Sequence, residues 1–384
     1  MKQEKNTYIK NNSFLDLDIK SKGSINNIDH RVKNIFSNKK YFDTLSNYQK
    51  EVLNKIKIDL FENQNKSTKF KLSSNVIEEI KTLDDNKVLI YLFHRYRYEM
   101  YPQLNLLDSF PPYLQIEPSS ICNYRCVFCF ETDKSFTDKK KGHMGTMSLE
   151  LFKNIVDQAF GNIEFISIAS RGEPLVSKKI IEMLKYTENK FLNLKINTNA
   201  SLLTEDICHA ILSDTVKTVV FSADAADEEL YKKLRVNGNL ENVLKRIRMF
   251  NNIKLKHYPK SKIITRVSGV KVNSEQNFDQ MKSFWGELVD QVAFVDYNPW
   301  ENIYNSPVKN IKKPCSDLWR RMFVWWDGKV NPCDSDYKSF LSVGSFPKNS
   351  LQDLWKNKQY ELIRNQHLSE KRTKVFPCKS CVLV

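Results

Sequence analysis

Three cysteines stand within eight positions of the stretch SSICNYRCVFCFETD (residues 119–133), at Cys122, Cys126 and Cys129. An odd set closes no disulfide framework, and a structural zinc ion takes four ligands. A [4Fe–4S] cube has four irons, usually held by thiolates, so three cysteines leave one iron open to an outside ligand. That accounts for three. A zinc knuckle completed by a histidine such as His143 is the alternative the spacing leaves.

The residues around this stretch say where it sits. YLQIE reads as a strand that runs directly into it, and a regular alternation follows. SLELFKNIVDQAF, SKKIIEMLKYTE, TEDICHAIL, LENVLKRIRMF and EQNFDQMKSFW carry apolar residues at helical spacing. IEFISIA, FLNLKINT, KTVVFSA, KIITRVSGV and QVAFVDY read as the strands between them. Six strands, each but the last followed by a helix, predict a parallel α/β unit closed or partly closed as a barrel. Ligands of such folds lie at the carboxyl ends of the strands, which is where the cysteine stretch falls.

Residues 1–110 hold no cluster of metal-ligating residues and read as a mostly helical extension. YQKEVLNKIKIDLFEN and SSNVIEEIKTLDDNKVLIYLFHRYRYEMY are its helical stretches, and Pro111-Pro112 ends it. Residues 111–304 are the α/β unit. Residues 305–384 change texture. MFVWWDGKVNP predicts a hairpin with Asp327-Gly328 as a two-residue turn, and NSLQDLWKNKQYELIRNQHL predicts one helix capped by Asn349 or Ser350.

At 384 residues the chain has room for two or three domains. Its first residues, MKQEKNTYIKNNSF, lack an apolar signal region, and no apolar run is long enough to cross a bilayer. The expected location is the cytoplasm, where eight cysteines point to metal binding or catalysis before disulfides. The net charge of +15 comes from lysines spread along the whole chain, with no basic run interleaved with stacking aromatics. Neither nucleic acid nor membrane is expected as a partner.

The C-x3-C-x2-C spacing, with Phe128 before the last cysteine, resembles the signature of the radical S-adenosylmethionine (SAM) superfamily. The resemblance implies a partial (β/α)6 barrel and a [4Fe–4S] cluster held by Cys122, Cys126 and Cys129, whose open iron chelates SAM. It implies a 5′-deoxyadenosyl radical that abstracts a substrate hydrogen, and a flavodoxin- or ferredoxin-type electron donor. It also implies SAM contacts at the strand ends. Ser170-Arg171-Gly172-Glu173-Pro174 stands where the family carries a Gly-Gly-Glu-Pro motif, with Arg171 departing from the pattern. Asn199 ends the third strand, Ser222 and Asp224 match the family's Ser-x-Asp, and Arg266 and Ser268 lie on the fifth strand, where the SAM carboxylate is met.

Cys315, Cys333, Cys378 and Cys381 supply four more thiolates in an arrangement similar to the SPASM/twitch extension of that family. This implies one auxiliary [4Fe–4S] cluster; a zinc ribbon is the alternative. Their intervals are similar to those of 2-deoxy-scyllo-inosamine dehydrogenases, aminocyclitol-oxidising members. The expected reaction is therefore oxidation or epimerisation at a C–OH carbon of a sugar, aminocyclitol or nucleotide-linked sugar. Asp296 or Glu301 is the candidate base, with Tyr297 and Trp300 as further substrate contacts. A maturase of a ribosomally made peptide is the second reading, and a non-catalytic zinc-binding interaction protein the third. Such maturases often carry an N-terminal three-stranded winged-helix module, of which residues 1–110 show no sign. Cys208, within a predicted helix, reads as a core residue.

Overall fold

The computed structural model describes residues 10–11, 16–17, 23–62, 68–169, 171–213, 216–297 and 299–381. Six strands form its centre: β1 (Tyr113–Ile116), β2 (Phe165–Ile168), β3 (Asn193–Thr198), β4 (Thr218–Ser222), β5 (Ile264–Lys271) and β6 (Gln291–Asp296). They pair in parallel in sequence order, as the βα alternation requires. The two faces differ sharply. Leu114, Ile116, Ile166, Ile168, Leu194, Ile196, Val219, Phe221, Val267, Val292 and Phe294 are buried outward, beneath the helices. Burying each large apolar side chain there contributes roughly 1.5–3 kcal/mol. The alternate positions, facing inward, mix polar residues (Gln115, Ser167, Lys195, Asn197, Ser222, Arg266, Ser268 and Gln291) with apolar ones (Tyr113, Phe165, Val220, Ile264, Val270, Ala293 and Val295). The barrel therefore has an apolar outside and a lumen into which polar groups are mixed.

The covering helices begin at side-chain caps, because their first N–H groups have no partner within the helix. Ser148, Thr204, Asn239 and Asn277 each accept an N–H from three residues on. One further helix, Glu228–Leu234, follows β4, and the two residues after it, Arg235–Val236, pair antiparallel with Arg125–Cys126 of the cysteine stretch.

The N-terminal region folds as four helices: α1 (Gly23–Ser37), α2 (Asn47–Lys57), α3 (Ser74–Thr82) and α4 (Asp85–Leu104). The stretch expected as one helix over 73–101 breaks at Leu83. Arg31 reaches across to donate to the Ile80 and Leu83 carbonyls, at 2.9 and 2.7 Å, which terminates α3. These helices share a core of their own, which ends on Tyr113 and Phe165 at the starts of β1 and β2. His94 stacks on Phe165 with ring centroids 3.6 Å apart. The N-terminal region thus seals the floor of the barrel.

Beyond the barrel, β7 (Arg321–Val324), β8 (Lys329–Asn331) and β9 (Gly344–Ser345) continue the same sheet. β7 pairs in parallel with β1, giving a nine-stranded sheet in the order β6-β5-β4-β3-β2-β1-β7-β8-β9. The hairpin turn is longer than expected. The Gly328 N–H donates to the Trp325 carbonyl at 2.9 Å, so Trp326 and Asp327 are its central residues and Gly328 follows with φ +82°. A Cβ at Gly328 would lie 2.1 Å from the Phe346 carbonyl oxygen. The expected single helix over 349–368 is two, Leu351–Lys356 and Lys358–Leu368. Asn357 leaves the helical region between them (ψ 162°) and caps the second.

Candidate active site

The cysteine stretch leaves β1 and crosses the mouth of the barrel. Gly172 fixes how it does so: a Cβ there would lie 2.5–2.6 Å from the backbone of Ser119, Ser120 and Ile121, so only glycine lets the two loops touch. The Glu173 N–H donates to the Ile121 carbonyl at 3.0 Å. The Glu173 carboxylate accepts from the Asn199 N–H and the Thr198 hydroxyl, both at 2.7 Å, and Asn199 Nδ2 donates to Asn123 Oδ1 at 2.9 Å. Gly172, Glu173 and Asn199 are thus brought together around the loop that carries Cys122, and their groups brace it. Ser170 lies outside the described residues.

Burial raises the thiol pKa of each cysteine in the stretch, and proximity adds to it. Cys129 is pushed up by burial and then by Cys126 and Cys122; Cys122 is pushed up to about 12. Burial likewise raises the thiol pKa of Cys315, Cys333 and Cys378. Cys333 is raised by burial and then by Asp334, Cys381, Cys315 and Cys378, so four cysteines from three segments stand near one another. Bare thiols in such surroundings keep their protons, and coordination to iron is what replaces them. Among the described residues, no three Cys, His, Asp or Glu side chains converge closely enough for a single metal ion. A zinc ion with donors at about 2.3 Å needs that convergence, whereas a cube takes one thiolate per iron. Three thiolates at the first set and four at the second are donor sets that iron–sulfur clusters take. His143 stacks on Phe136 instead of joining the thiols. Cys208 is fully buried under the outer helices with no other cysteine nearby.

Two expected site residues, Asp296 and Arg266, fall elsewhere, and a third, Asp224, stands at the mouth but is turned to Arg235. Asp296 continues the outward face of Val292 and Phe294, is exposed, and lies 3.9 Å from Lys271 on that same face. Arg266 is inward but low in the barrel. It donates to Gln291 at the start of β6 and lines a small cavity with Tyr113, Asn193 and Thr218, all at strand starts. Asp224 is fully buried, ion-paired to Arg235 at 2.5 Å and bonded to the Val270 N–H at 2.6 Å. Ser222 and Ser268 stand side by side across β4 and β5 on the inner face near the mouth, and Phe128 is buried beside Arg235. Glu301 accepts from the Tyr297 hydroxyl, and its Oε2 is buried without a hydrogen-bond partner among the described residues.

Arg171, noted in the sequence only as a departure from the glycine motif, and Glu117 and Tyr337, which sequence reasoning passed over, join the halves of the site. The Arg171 N–H donates to Glu117 Oε2 at 3.1 Å, and its guanidinium pairs with the same carboxylate. It also donates to the Tyr337 carbonyl at 2.9 Å and lies 4.2 Å from the Trp325 ring centroid. The departure from the glycine motif is thus a bolt between the barrel mouth and the C-terminal region, and its backbone N–H is already engaged. Tyr337 stacks on Phe130 at 4.8 Å and donates to Asp133 at 2.8 Å, in a small apolar cluster that also takes in Cys129 and Cys381. A carboxylate closing the first strand and an arginine replacing the motif glycine were the visible signals for the first pair. Nothing local marks Tyr337.

The sequence profile of the Radical SAM superfamily matches residues 116–284, and that of the SPASM iron–sulfur cluster-binding domain matches residues 315–382. The chain carries a Radical SAM domain followed by a C-terminal SPASM domain. These domains imply a SAM-binding [4Fe–4S] cluster at the first cysteine set and auxiliary iron–sulfur at the second. Among curated relatives, a GTP 3′,8-cyclase of Saccharophagus degradans is 30% identical over 148 residues, 37% of this chain and 43% of that protein. The tungsten-containing aldehyde ferredoxin oxidoreductase cofactor-modifying protein of Pyrococcus furiosus is 32% identical over 114 residues, 29% of this chain and 30% of that protein. The chain spans less than half the length of either. Among solved structures, Streptococcus suis SuiB bound to precursor peptide SuiA matches with a TM-score of 0.54 at 18% identity, covering 87% of this chain and 82% of that one. That likeness is one of fold. No helix among the described residues is long and apolar enough to cross a membrane.

Proposed function

We propose that the protein oxidises a C–OH carbon of a small polyhydroxylated molecule, a sugar, aminocyclitol or nucleotide-linked sugar, or epimerises it when a hydrogen atom is returned. The polar groups of the lumen carry this reading. Its inner wall offers Gln115, Ser167, Lys195, Asn197, Ser222 and Ser268, and Asn197 Oδ1 is a buried acceptor without a partner among the described residues. Such groups suit the hydroxyls of a polyol. When bound, SAM with its cluster supplies a carbon-centred radical that removes the hydrogen atom, and the auxiliary cluster supplies a one-electron acceptor. Glu301, held by Tyr297, is the group we assign to take the hydroxyl proton, so that loss of one hydrogen atom, one proton and one electron leaves a carbonyl.

The test is 5′-deoxyadenosine formation with carbon-deuterated polyols, aminocyclitols and nucleotide sugars. Deuterium should appear in 5′-deoxyadenosine with one of these. Glu301→Gln should then lower turnover about 10²- to 10⁴-fold while SAM still binds. Peptide maturation is the second reading, because the alignment with SuiB covers more of this chain than residues 112–384 alone supply. Against it, the described N-terminal residues form four helices and one two-stranded ribbon. Deuterium transfer from a peptide alone would overturn the sugar reading.

A further inference from the structure

The pairing of Arg235–Val236 with Arg125–Cys126 sets Arg235 directly opposite Cys126. The Arg235 side chain is buried, its Nη1 lies 3.9 Å from Cys126 Sγ, and its guanidinium stands 5.8 Å from the Phe128 ring. On the other side Nε lies 2.5 Å from Asp224 Oδ2. Asp224 is in turn anchored by the Val270 N–H at 2.6 Å, and its carbonyl accepts from Gln276 at 2.8 Å. The result is a fixed, solvent-excluded row of carboxylate, guanidinium and cysteine sulfur. A guanidinium is always charged and donates in fixed directions. Hydrogen bonds to ligating sulfurs and nearby charge are among the features that set an iron–sulfur potential.

We propose that Arg235, held in place by Asp224, is a positioning residue that raises the reduction potential of the SAM-binding cluster by presenting its positive charge and an N–H to Cys126 Sγ. This rests on a cluster being held by Cys122, Cys126 and Cys129. It gives the aspartate of the Ser-x-Asp motif a task other than facing the ribose. Reduction takes one electron from a low-potential donor of the flavodoxin or ferredoxin class, which is itself oxidised by one electron. The added negative charge on the cluster is stabilised by the guanidinium and opposed by the carboxylate behind it.

The two members of the row therefore pull in opposite directions, which a merely structural role would not produce. The reconstituted holoenzyme is titrated with dithionite and mediator dyes and followed by electron paramagnetic resonance, with and without SAM. At the wild-type midpoint, Arg235→Gln should lower the ratio of reduced to oxidised SAM-responsive cluster by about tenfold, a shift of about 59 mV. Asp224→Asn, which leaves the guanidinium uncompensated, should raise that ratio, and Arg235→Lys should fall between Arg235→Gln and wild type. The auxiliary cluster's midpoint should stay fixed in all three. Iron content and the SAM-induced change of signal report separately whether the cluster is present. If Arg235→Gln fails to assemble, Asp224→Asn and Arg235→Lys still decide. Midpoints that do not move, or that move the same way in Arg235→Gln and Asp224→Asn, overturn the proposal.

Discussion

Cys122, Cys126 and Cys129 hang on one loop leaving β1, braced by Gly172, Glu173 and Asn199 of the barrel. Cys315, Cys333, Cys378 and Cys381 meet only after a hairpin, two helices and a final turn have folded around them. The first site borrows its geometry from the barrel. The second is a staple for the segments that form it, so the cluster and the local fold depend on each other. Arg171 and Tyr337 join the two. A site of the first kind loses chemistry when its ligands go, while one of the second kind also loses structure.

The largest effect that would break this contrast is on Cys126. Cys126→Ala should reduce SAM cleavage to background while circular dichroism and the auxiliary iron remain; collapse of the C-terminal region would show the sites to be one folding unit. Next comes Cys378→Ala, which should open residues 305–384 to limited proteolysis and cost product formation more than SAM cleavage. Equal protease resistance in the two variants would erase the distinction.

Arg171→Met removes one partner of a buried pair and leaves the Glu117 carboxylate uncompensated, which should cost about 3–5 kcal/mol in denaturant unfolding. The double variant Glu117→Leu/Arg171→Met should recover part of that loss. If the double variant loses as much as the sum, the bolt is two independent contacts.

The smallest effect is at Asp133, which links the cysteine stretch to Tyr337 and Lys338. Partial burial raises its carboxyl pKa, but hydrogen bonds from Lys338, Ser135 and Tyr337 outweigh that and hold it down at about 2. A depressed carboxylate stabilises the fold above its unfolded pKa and loses that contribution as pH falls through the folded value. Asp133→Asn should therefore melt below wild type at pH 7, and the gap should close as pH drops from about 4 toward 2. A gap that stays constant with pH would remove Asp133 from the linkage.

The barrel was legible because its signals are local. Period-two alternation with outward Ile, Val and Phe marks the strands, and side-chain caps mark the helices between them. The cysteine spacing was equally plain. The same alternation already placed Asp296 on the outer face with Phe294, and the appeal of a carboxylate at a strand end hid it. Other features were not written locally. The pairing of β7 with β1, the meeting of Arg171 with Glu117, and that of Arg235 with both Asp224 and Cys126 join residues far apart in sequence. The helix break at Asn357 turns on its side chain donating to the Val343 carbonyl at 2.6 Å, which exists only once the hairpin has folded.

The measurement that bears most directly on the two-site account is the iron and sulfide content of anaerobically reconstituted protein. Wild type is compared with the Cys122/Cys126/Cys129→Ala variant and with the Cys315/Cys333/Cys378/Cys381→Ala variant. The account predicts about eight irons per chain in wild type and about four in each variant, with a SAM-responsive signal only where the first set is intact. About four irons in wild type, falling to none without the first set while zinc stays in the C-terminal region, would contradict it.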